Sequence, residues 1–513
     1  MSIPGYATPE ATRQFAEAFA ARYPTEAYRS LGRTHLRVSK IGFGTYRCHH
    51  QIEVHQQALK AALARGCNII DTSANYTDGG AEILIGDVLN QEIVWGERRR
   101  EELVIVSKAG YIQGENLKIA EEREQQGNPF PEVVKYQPGL WHCLHPEFLE
   151  DQLTRSLSRM HLDTLDVYLL HNPEYFLSHA HRTGSGNREE TEREFYDRIR
   201  RAFIQMEKFV AGGLIRYYGI SSNGFPLEED ATEFVSLGRV WKAYTDACLD
   251  RGITPEEGHF AVIQLPFNWL ETGAATRKNH AHQGQSFTVL ELARHLGLGV
   301  LINRPLNAIR EERLVRLARY GSQSPEDARK TFQLLVEGLL QTEREYSRRV
   351  WEWGRDVQVG DRSLADCFTN ALPLRQLTEQ PYDISYIRGM LPAYFSRPLQ
   401  KGMEELAKRV PESEREEARK FAHRYGQQFN ETVTALLEYL NARNYAEVQH
   451  LEARFDQAYP HRAGQLTFSQ KALTVAANTP GVDVALNGMR TPEYVEDSLK
   501  VMEVEDPVSP ELL

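Results

Sequence analysis

Apolar residues along this chain alternate between two patterns. Short unbroken runs, among them Asn68-Ile-Ile-Asp71, Leu103-Val-Ile-Val-Ser-Lys108 and Leu165-Asp-Val-Tyr-Leu-Leu-His171, read as strands covered on both faces, because a sheet with one wet face would alternate apolar with polar. Between them run amphipathic stretches at helical spacing, predicted as Val54–Arg65, Ala81–Leu89, Pro146–Met160 and Glu189–Ala211, the last stopping at Gly212-Gly213 where glycine supplies a left-handed cap. The alternation continues through strand Ile215–Ser221, helix Thr232–Leu249, strand Ala261–Leu265, helix Ser286–Leu296 and strand Gly299–Asn303. Counting Ile41–Tyr46 as the first, this makes seven strands. Strands separated by helical segments argue an α/β protein with a parallel sheet.

Ahead of that series, Thr8 caps a predicted helix from Pro9 to Tyr23, and Leu31–Val38 alternates about a Gly-Arg turn as a hairpin would. After Asn307 the β/α rhythm stops. Residues 309 to 459 are charged and helical in period, with apolar positions such as Phe332, Leu335, Val336, Leu339, Leu340, then Phe421, Tyr425, Phe429 and Val433. The rhythm resumes with helix Thr467–Ala477, strand Val482–Asn487 and helix Pro492–Met502. The simplest reading is an all-α insertion between strand seven and its helix. A polar loop is predicted from Tyr111 to Leu144.

Strand ends carry the candidate chemistry. One run stops on Asp71 and spills into a loop bearing Tyr76; two others close on Lys108 and His171. In a parallel sheet the C-terminal ends share a rim, so a carboxylate, a phenol, an ammonium and an imidazole can meet. Taken singly, each is more simply a paired core group. Together they form a set for reducing C=O: the phenol donates a proton, perturbed by a lysine whose charge a carboxylate offsets, and the imidazole polarises the carbonyl. Gly42-x-Gly44 is no dinucleotide loop, since Arg47 takes the third glycine position. His49, His50 and His55 complete no zinc-ligand spacing, so no metal is expected.

Six motifs then fall in order: Asp-Thr-Ser-Ala-Asn-Tyr-Thr-Asp-Gly-Gly-Ala-Glu (71 to 82), Val-Ser-Lys (106 to 108), Tyr-Leu-Leu-His-Asn-Pro (168 to 173), Tyr-Gly-Ile-Ser-Ser-Asn (218 to 223), Ile-Gln-Leu-Pro-Phe-Asn (263 to 268) and Leu-Asn-Gly-Met-Arg-Thr-Pro-Glu-Tyr-Val-Glu-Asp (486 to 497). Over about 30 to 307 and 466 to 503 the chain resembles the aldo-keto reductase superfamily. That resemblance implies a (β/α)8 TIM barrel plugged at its base by the hairpin, with residues 1–307 supplying strands 1 to 7, 308–465 the helical insertion, and 466–513 completing the barrel. An insertion after strand seven opens on the C-terminal face and is expected to overhang the site.

The resemblance also implies roles. Tyr76 is the proton donor supported by Asp71, Lys108 and His171, and the cofactor is NADP, with NAD as the alternative. Ser221, Gln264 and one of Ser222 and Asn223 are expected to grip the nicotinamide carboxamide. Arg304, Gly488, Met489, Arg490 and Asp497 are the candidates for phosphate and adenosine. Gly488 and Tyr494 stand where well-studied reductases carry basic residues for the 2′-phosphate, which leaves Arg490 as the substitute. The substrate is a small carbonyl or alcohol. Two other readings stay open: a cofactor-sensing regulatory scaffold that docks a protein partner, or self-associates, through the insertion, and a Schiff-base aldolase using Lys108.

Composition narrows the rest. At 513 residues and 58.7 kDa there is room for a barrel and something added. A net charge of -11 gives no footprint for nucleic acid or an anionic membrane. Five scattered cysteines without a CxxC fit reduced thiols. No apolar run approaches membrane-spanning length, and the N-terminus lacks a basic start followed by an apolar core, so a cytoplasmic protein is expected.

Overall fold

In the computed structural model, residues 2–513 are described apart from 97, 185, 311–312, 320–322, 356 and 380–383. Two compact units emerge: Met1–Leu306 with Ser469–Leu513, and Asn307–Phe468.

The first unit is a closed barrel of eight strands. In chain order they are β1 (Ile41–Gly44), β2 (Ile69–Asp71), β3 (Val104–Ala109), β4 (Leu165–His171), β5 (Ile215–Ser221), β6 (Phe260–Pro266), β7 (Gly299–Asn303) and β8 (Val484–Asn487). Each pairs in parallel with its neighbours in sequence, and β8 closes on β1. Successive residues of a strand point to opposite faces, and the two faces feed separate cores. Val104, Val106, Val167, Leu169, Val262, Leu301 and Val484 belong to one buried cluster, while Ile105, Tyr168, Leu170, Ile263, Val300 and Ile302 belong to a larger one shared with the helices. Double burial explains why the strands read as unbroken apolar runs.

The N-terminal hairpin pairs Tyr28–Ser30 with Arg37–Ser39, a little outside the predicted Leu31–Val38. Its Leu31, Leu36 and Val38 share the smaller cluster with the barrel strands. Gly32, with φ +47, presses against the start of β7, where an added Cβ would lie 2.1 Å from Gly299 N. Only glycine permits both that backbone and that approach. The hairpin therefore closes the N-terminal end of the barrel, opposite the ends that carry Asp71 and His171.

Most barrel helices lie close to the predicted bounds. Helix Leu237–Arg251 begins later than expected because Ser236, not Thr232, caps it by accepting from Arg239 N. The predicted polar loop from Tyr111 to Leu144 holds a helix, Gly114–Gln125, and a three-stranded sheet of Tyr111–Ile112, Val134–Gln137 and Leu140–His142. These strands are too short and too polar to register as a pattern.

The second unit is built on two long helices, Pro325–Trp353 and Arg415–Ala458. Phe332, Val336, Leu339 and Leu340 of the first and Phe421, Tyr425 and Phe429 of the second share one core. Tyr425 Oη donates to Glu343 across it at 2.8 Å. Short antiparallel pairs, Asn307–Arg310 with Arg313–Arg316 and Gln358–Val359 with Arg362–Ser363, are an addition to the helical expectation.

Candidate active site

Asp71 ends β2, His171 ends β4 and Lys108 sits one residue from the end of β3. The register places Asp71 beside Val106, Lys108 beside Leu169 and Ser221 beside His171, so these tips lie along one rim. Lys108 Nζ donates to both Asp71 oxygens, at 2.7 and 2.8 Å, and to the Thr72 carbonyl at 2.5 Å. Gln264 Nε2 completes the carboxylate's shell at 2.7 Å. Lys108 is 0% exposed and Asp71 4%. Burial pushes the Asp71 carboxyl up and the Lys108 ammonium down, and each group opposes the shift in the other.

Tyr76 opens a tight turn, Tyr76–Gly79, tied back by Thr77 Oγ1 donating to the Cys48 carbonyl at 2.6 Å. Lys108 Nζ stands 5.0 Å from the centroid of its ring. The His171 and Tyr46 rings approach edge-on, at 6.1 and 5.3 Å. The phenol's acidity departs from the simple expectation that a lysine favours phenolate. Burial, then the Asp71 charge, then Tyr46 push its pKa well above the ordinary value. The reason is local: Asp71 neutralises Lys108 at contact distance, so dehydration decides the sign. Tyr76 rests as a neutral phenol, and its hydroxyl makes no hydrogen bond to a described residue.

His171 is fixed on two sides. Its Nδ1 lies 3.0 Å from Ser73 Oγ, its carbonyl accepts from His142 Nε2 at 2.7 Å, and its ring meets that of Tyr111 at 4.7 Å. Burial, followed by the charges of Lys108 and His142, holds its pKa well below the ordinary value. The imidazole is neutral at physiological pH, and no described residue pairs with Nε2. His142, pushed down to about 4 by burial, is neutral too.

At the ends of β5 and β6, Ser221 Oγ donates to Gln264 Oε1 at 3.3 Å. Ser222 is differently occupied: its hydroxyl donates to Glu174 at 2.9 Å and accepts from Gly224 N at 3.0 Å. Glu174 also accepts from Asn223 N at 2.8 Å, while the Asn223 side-chain amide has no described partner. Of the two, the Ser222 hydroxyl is engaged in the turn, while the Asn223 side-chain amide faces no described partner. Arg304, at φ +54, donates from Nη2 to Glu271 at 3.0 Å, but its Nε and Nη1 are buried without a partner among the described residues. Gly488 faces open space, Arg490 forms no ion pair with a described residue, and the Met489 side chain is buried in the core, leaving only its backbone to a ligand. Asp497 accepts from Ser469 Oγ at 2.9 Å and Gln470 Nε2 at 3.0 Å.

Several residues at this rim escaped sequence reasoning. Ser73 and Asn75 lie inside the Asp71–Tyr76 stretch, yet as small polar loop residues they give no signal of their own. Glu174 is one acid among many until the fold buries it, which pushes its carboxyl up to about 7. Tyr111 and His142 come together only through the small sheet. The histidine run has a bland account, since His55 Nδ1 accepts from His49 N at 3.0 Å. Among the described residues no group of three or more His, Cys, Asp or Glu could hold a metal ion, and no helix is long and apolar enough to cross a membrane.

Comparison with known proteins adds a family. The profile described as the Aldo/keto reductase family matches residues 40–345. The NADH-specific methylglyoxal reductase of Escherichia coli (strain K12) is 27% identical over 151 residues, 28% of this chain and 40% of that protein. Aldo-keto reductase family 1 member A1 of Sus scrofa is 29% identical over 185 residues, 36% of this chain and 45% of that protein. The chain thus spans less than half the length of these curated relatives. Among solved structures, an aldo/keto reductase from Klebsiella pneumoniae in complex with NADP and acetate aligns over 94% of this chain and 92% of its own, at 16% identity and a TM-score of 0.41.

Proposed function

The chain belongs to the aldo/keto reductase family, and from that premise we propose that it interconverts an aldehyde or ketone and the corresponding alcohol, with a nicotinamide cofactor as hydride carrier and Tyr76 as proton donor. The observation that carries this reading is the neutral, unpaired Tyr76 hydroxyl beside a dehydrated Asp71–Lys108 pair, with a neutral His171 facing the same space.

The residues at the rim fit such a cofactor. Arg304 has two buried N–H positions without partners, which suit a phosphate, and Asn223 keeps a side-chain amide uncommitted. Arg490 beside the open Gly488 is the substitute cation for a 2′-phosphate, so NADP is the proposed form, with NAD the alternative. Bound at this rim, a reduced nicotinamide would supply the hydride and its electron pair to a carbonyl carbon. Tyr76 Oη is placed to give its proton to the carbonyl oxygen. The phenolate left behind sits near Lys108, whose ammonium stabilises it until solvent returns a proton. Asp71 holds Lys108 in place, and the His171 ring flanks the substrate oxygen on the other side.

Tyr76→Phe tests the reading. The variant is expected to keep NADPH binding, read by quenching of tryptophan fluorescence, while kcat over a panel of aldehydes and sugars falls by about 10²–10⁴. Unchanged turnover in that variant would remove the mechanism.

A further inference from the structure

The hydrogen bonds around Ser73 bear on which nitrogen of His171 carries the proton. Ser73 is buried, 1% exposed, and has one hydroxyl proton for three neighbours: Asn75 Oδ1 at 2.7 Å, the Lys108 carbonyl at 3.3 Å and His171 Nδ1 at 3.0 Å. A carbonyl oxygen can only accept; the imidazole nitrogen can do either. Asn75 presents its oxygen to Ser73, while its Nδ2 donates to Gln113 Oε1 at 3.1 Å. The shortest contact therefore takes the hydroxyl proton, and Ser73 has only lone pairs left for the ring. His171 must supply the proton between them.

We infer that Ser73, held by Asn75 and Gln113, is a positioning residue that keeps His171 as the Nδ1–H tautomer, with a bare Nε2 facing the substrate oxygen. The inference rests on the carbonyl–alcohol reading above and settles which form of the substrate the resting site receives. An alcohol oxygen accepts from the Tyr76 hydroxyl and donates its own hydrogen to Nε2, so every polar atom is matched. A carbonyl oxygen has no hydrogen to give, and its lone pairs would face that of Nε2. The resting site is thus arranged to bind the alcohol, whose oxidation, the reverse of the reduction above, requires Tyr76 first to lose its proton to solvent. Taking the carbonyl requires Ser73 to turn its hydrogen toward Nδ1 and the ring to carry its proton on Nε2. Hydride transfer itself is unchanged; the step concerned is a proton relocation on one imidazole, exchanged with water.

The tautomer is directly observable. Full-length protein labelled with ¹⁵N in its histidines, of which there are 17, gives two-bond ¹H–¹⁵N ring spectra, and His171→Gln identifies the His171 signals by subtraction. The expected wild-type spectrum has a protonated Nδ1 and an unprotonated Nε2. Ser73→Ala, which removes the acceptor, is expected to move the proton to Nε2, and Ser73→Thr to keep it on Nδ1. A protonated Nε2 in the wild type, or a Ser73→Ala spectrum identical to the wild type, overturns the proposal. NADPH titration of the same wild-type sample tests the underlying reading separately. Absence of quenching there would sink the oxidoreductase assignment and leave the tautomer result intact.

Discussion

The two ends of this rim are built on opposite rules. At the Asp71 end the buried charges are matched: Asp71 receives Lys108 and Gln264, and Lys108 donates to Asp71 and the Thr72 carbonyl. Toward Arg304, Nε and Nη1 of that arginine and Oδ1 of Asn303 are buried with no partner among the described residues. A buried pair that is fully hydrogen-bonded fixes geometry, whereas buried donors without partners cost folding energy and are tolerated where a ligand can supply what is missing. The contrast separates groups held by their neighbours from groups that, in the proposed function, a cofactor phosphate would satisfy.

The contrast breaks most sharply at Lys108. Lys108→Met leaves the Asp71 carboxylate buried with one neutral donor, and is expected to lower stability by about 3–5 kcal/mol, read as an earlier urea-unfolding midpoint. Adding Asp71→Asn to that variant should recover much of the loss. A single variant as stable as the wild type would show that the pair is not the constraint claimed.

Glu174 lies between the two extremes, hydrogen-bonded yet dehydrated. Its carboxyl is pushed up to about 7 by burial, against an ordinary value of 4.5. The folded protein therefore binds this proton more tightly than the unfolded chain, so the stabilisation is complete below pH 4.5 and disappears as pH rises through about 7. Glu174→Gln is expected to remove a pH-dependent loss of up to about 3 kcal/mol between pH 4.5 and 8, seen as a flatter thermal-stability profile than the wild type's. Asp483, raised to about 7 by the same cause, remains in both proteins and cancels in the comparison. Equal slopes would mean that Glu174 is better solvated than its burial implies.

Arg304→Ala sharpens the other side. Loss of a charge-assisted bond should weaken NADPH binding by about 1.5–3 kcal/mol, roughly 10- to 150-fold in Kd. The unfolding midpoint should hardly change, because two of the donors removed have no partner among the described residues and the third serves a partly exposed pair with Glu271. Unchanged NADPH affinity would take Arg304 out of the cofactor site.

How far the sequence could be read follows from the reach of each interaction. The barrel was legible because burial on both faces writes itself into consecutive residues, as in Leu165–His171, and helical period shows over three or four turns. The small sheet between Tyr111 and His142 left no mark, since strands of two to four residues with Lys135 and Gln137 among them follow no period. The hairpin was visible as an alternation, but its limits depended on Gly32 fitting against Gly299. Asp71, Lys108 and His171 could be singled out because each sits at a strand end, and Tyr76 because it follows one closely. Glu174 and Ser73 could not, because their roles depend on partners 48 and 98 positions away.

By itself, then, the sequence determined the order and kind of the elements, the break in rhythm that separates the helical stretch, and the residue types at the strand tips, because those depend on neighbours along the chain. Tertiary structure decided which groups are paired and which are left open. Only the folded rim shows that the Ser222 hydroxyl is taken by Glu174 while the Asn223 side-chain amide has no partner among the described residues, that Asp71 cancels Lys108 so that Tyr76 keeps its proton, and that Ser73 stands against one particular nitrogen of His171. Dehydration and hydrogen-bond direction act over a few ångströms of space, and the order of residues along the chain does not encode that distance directly.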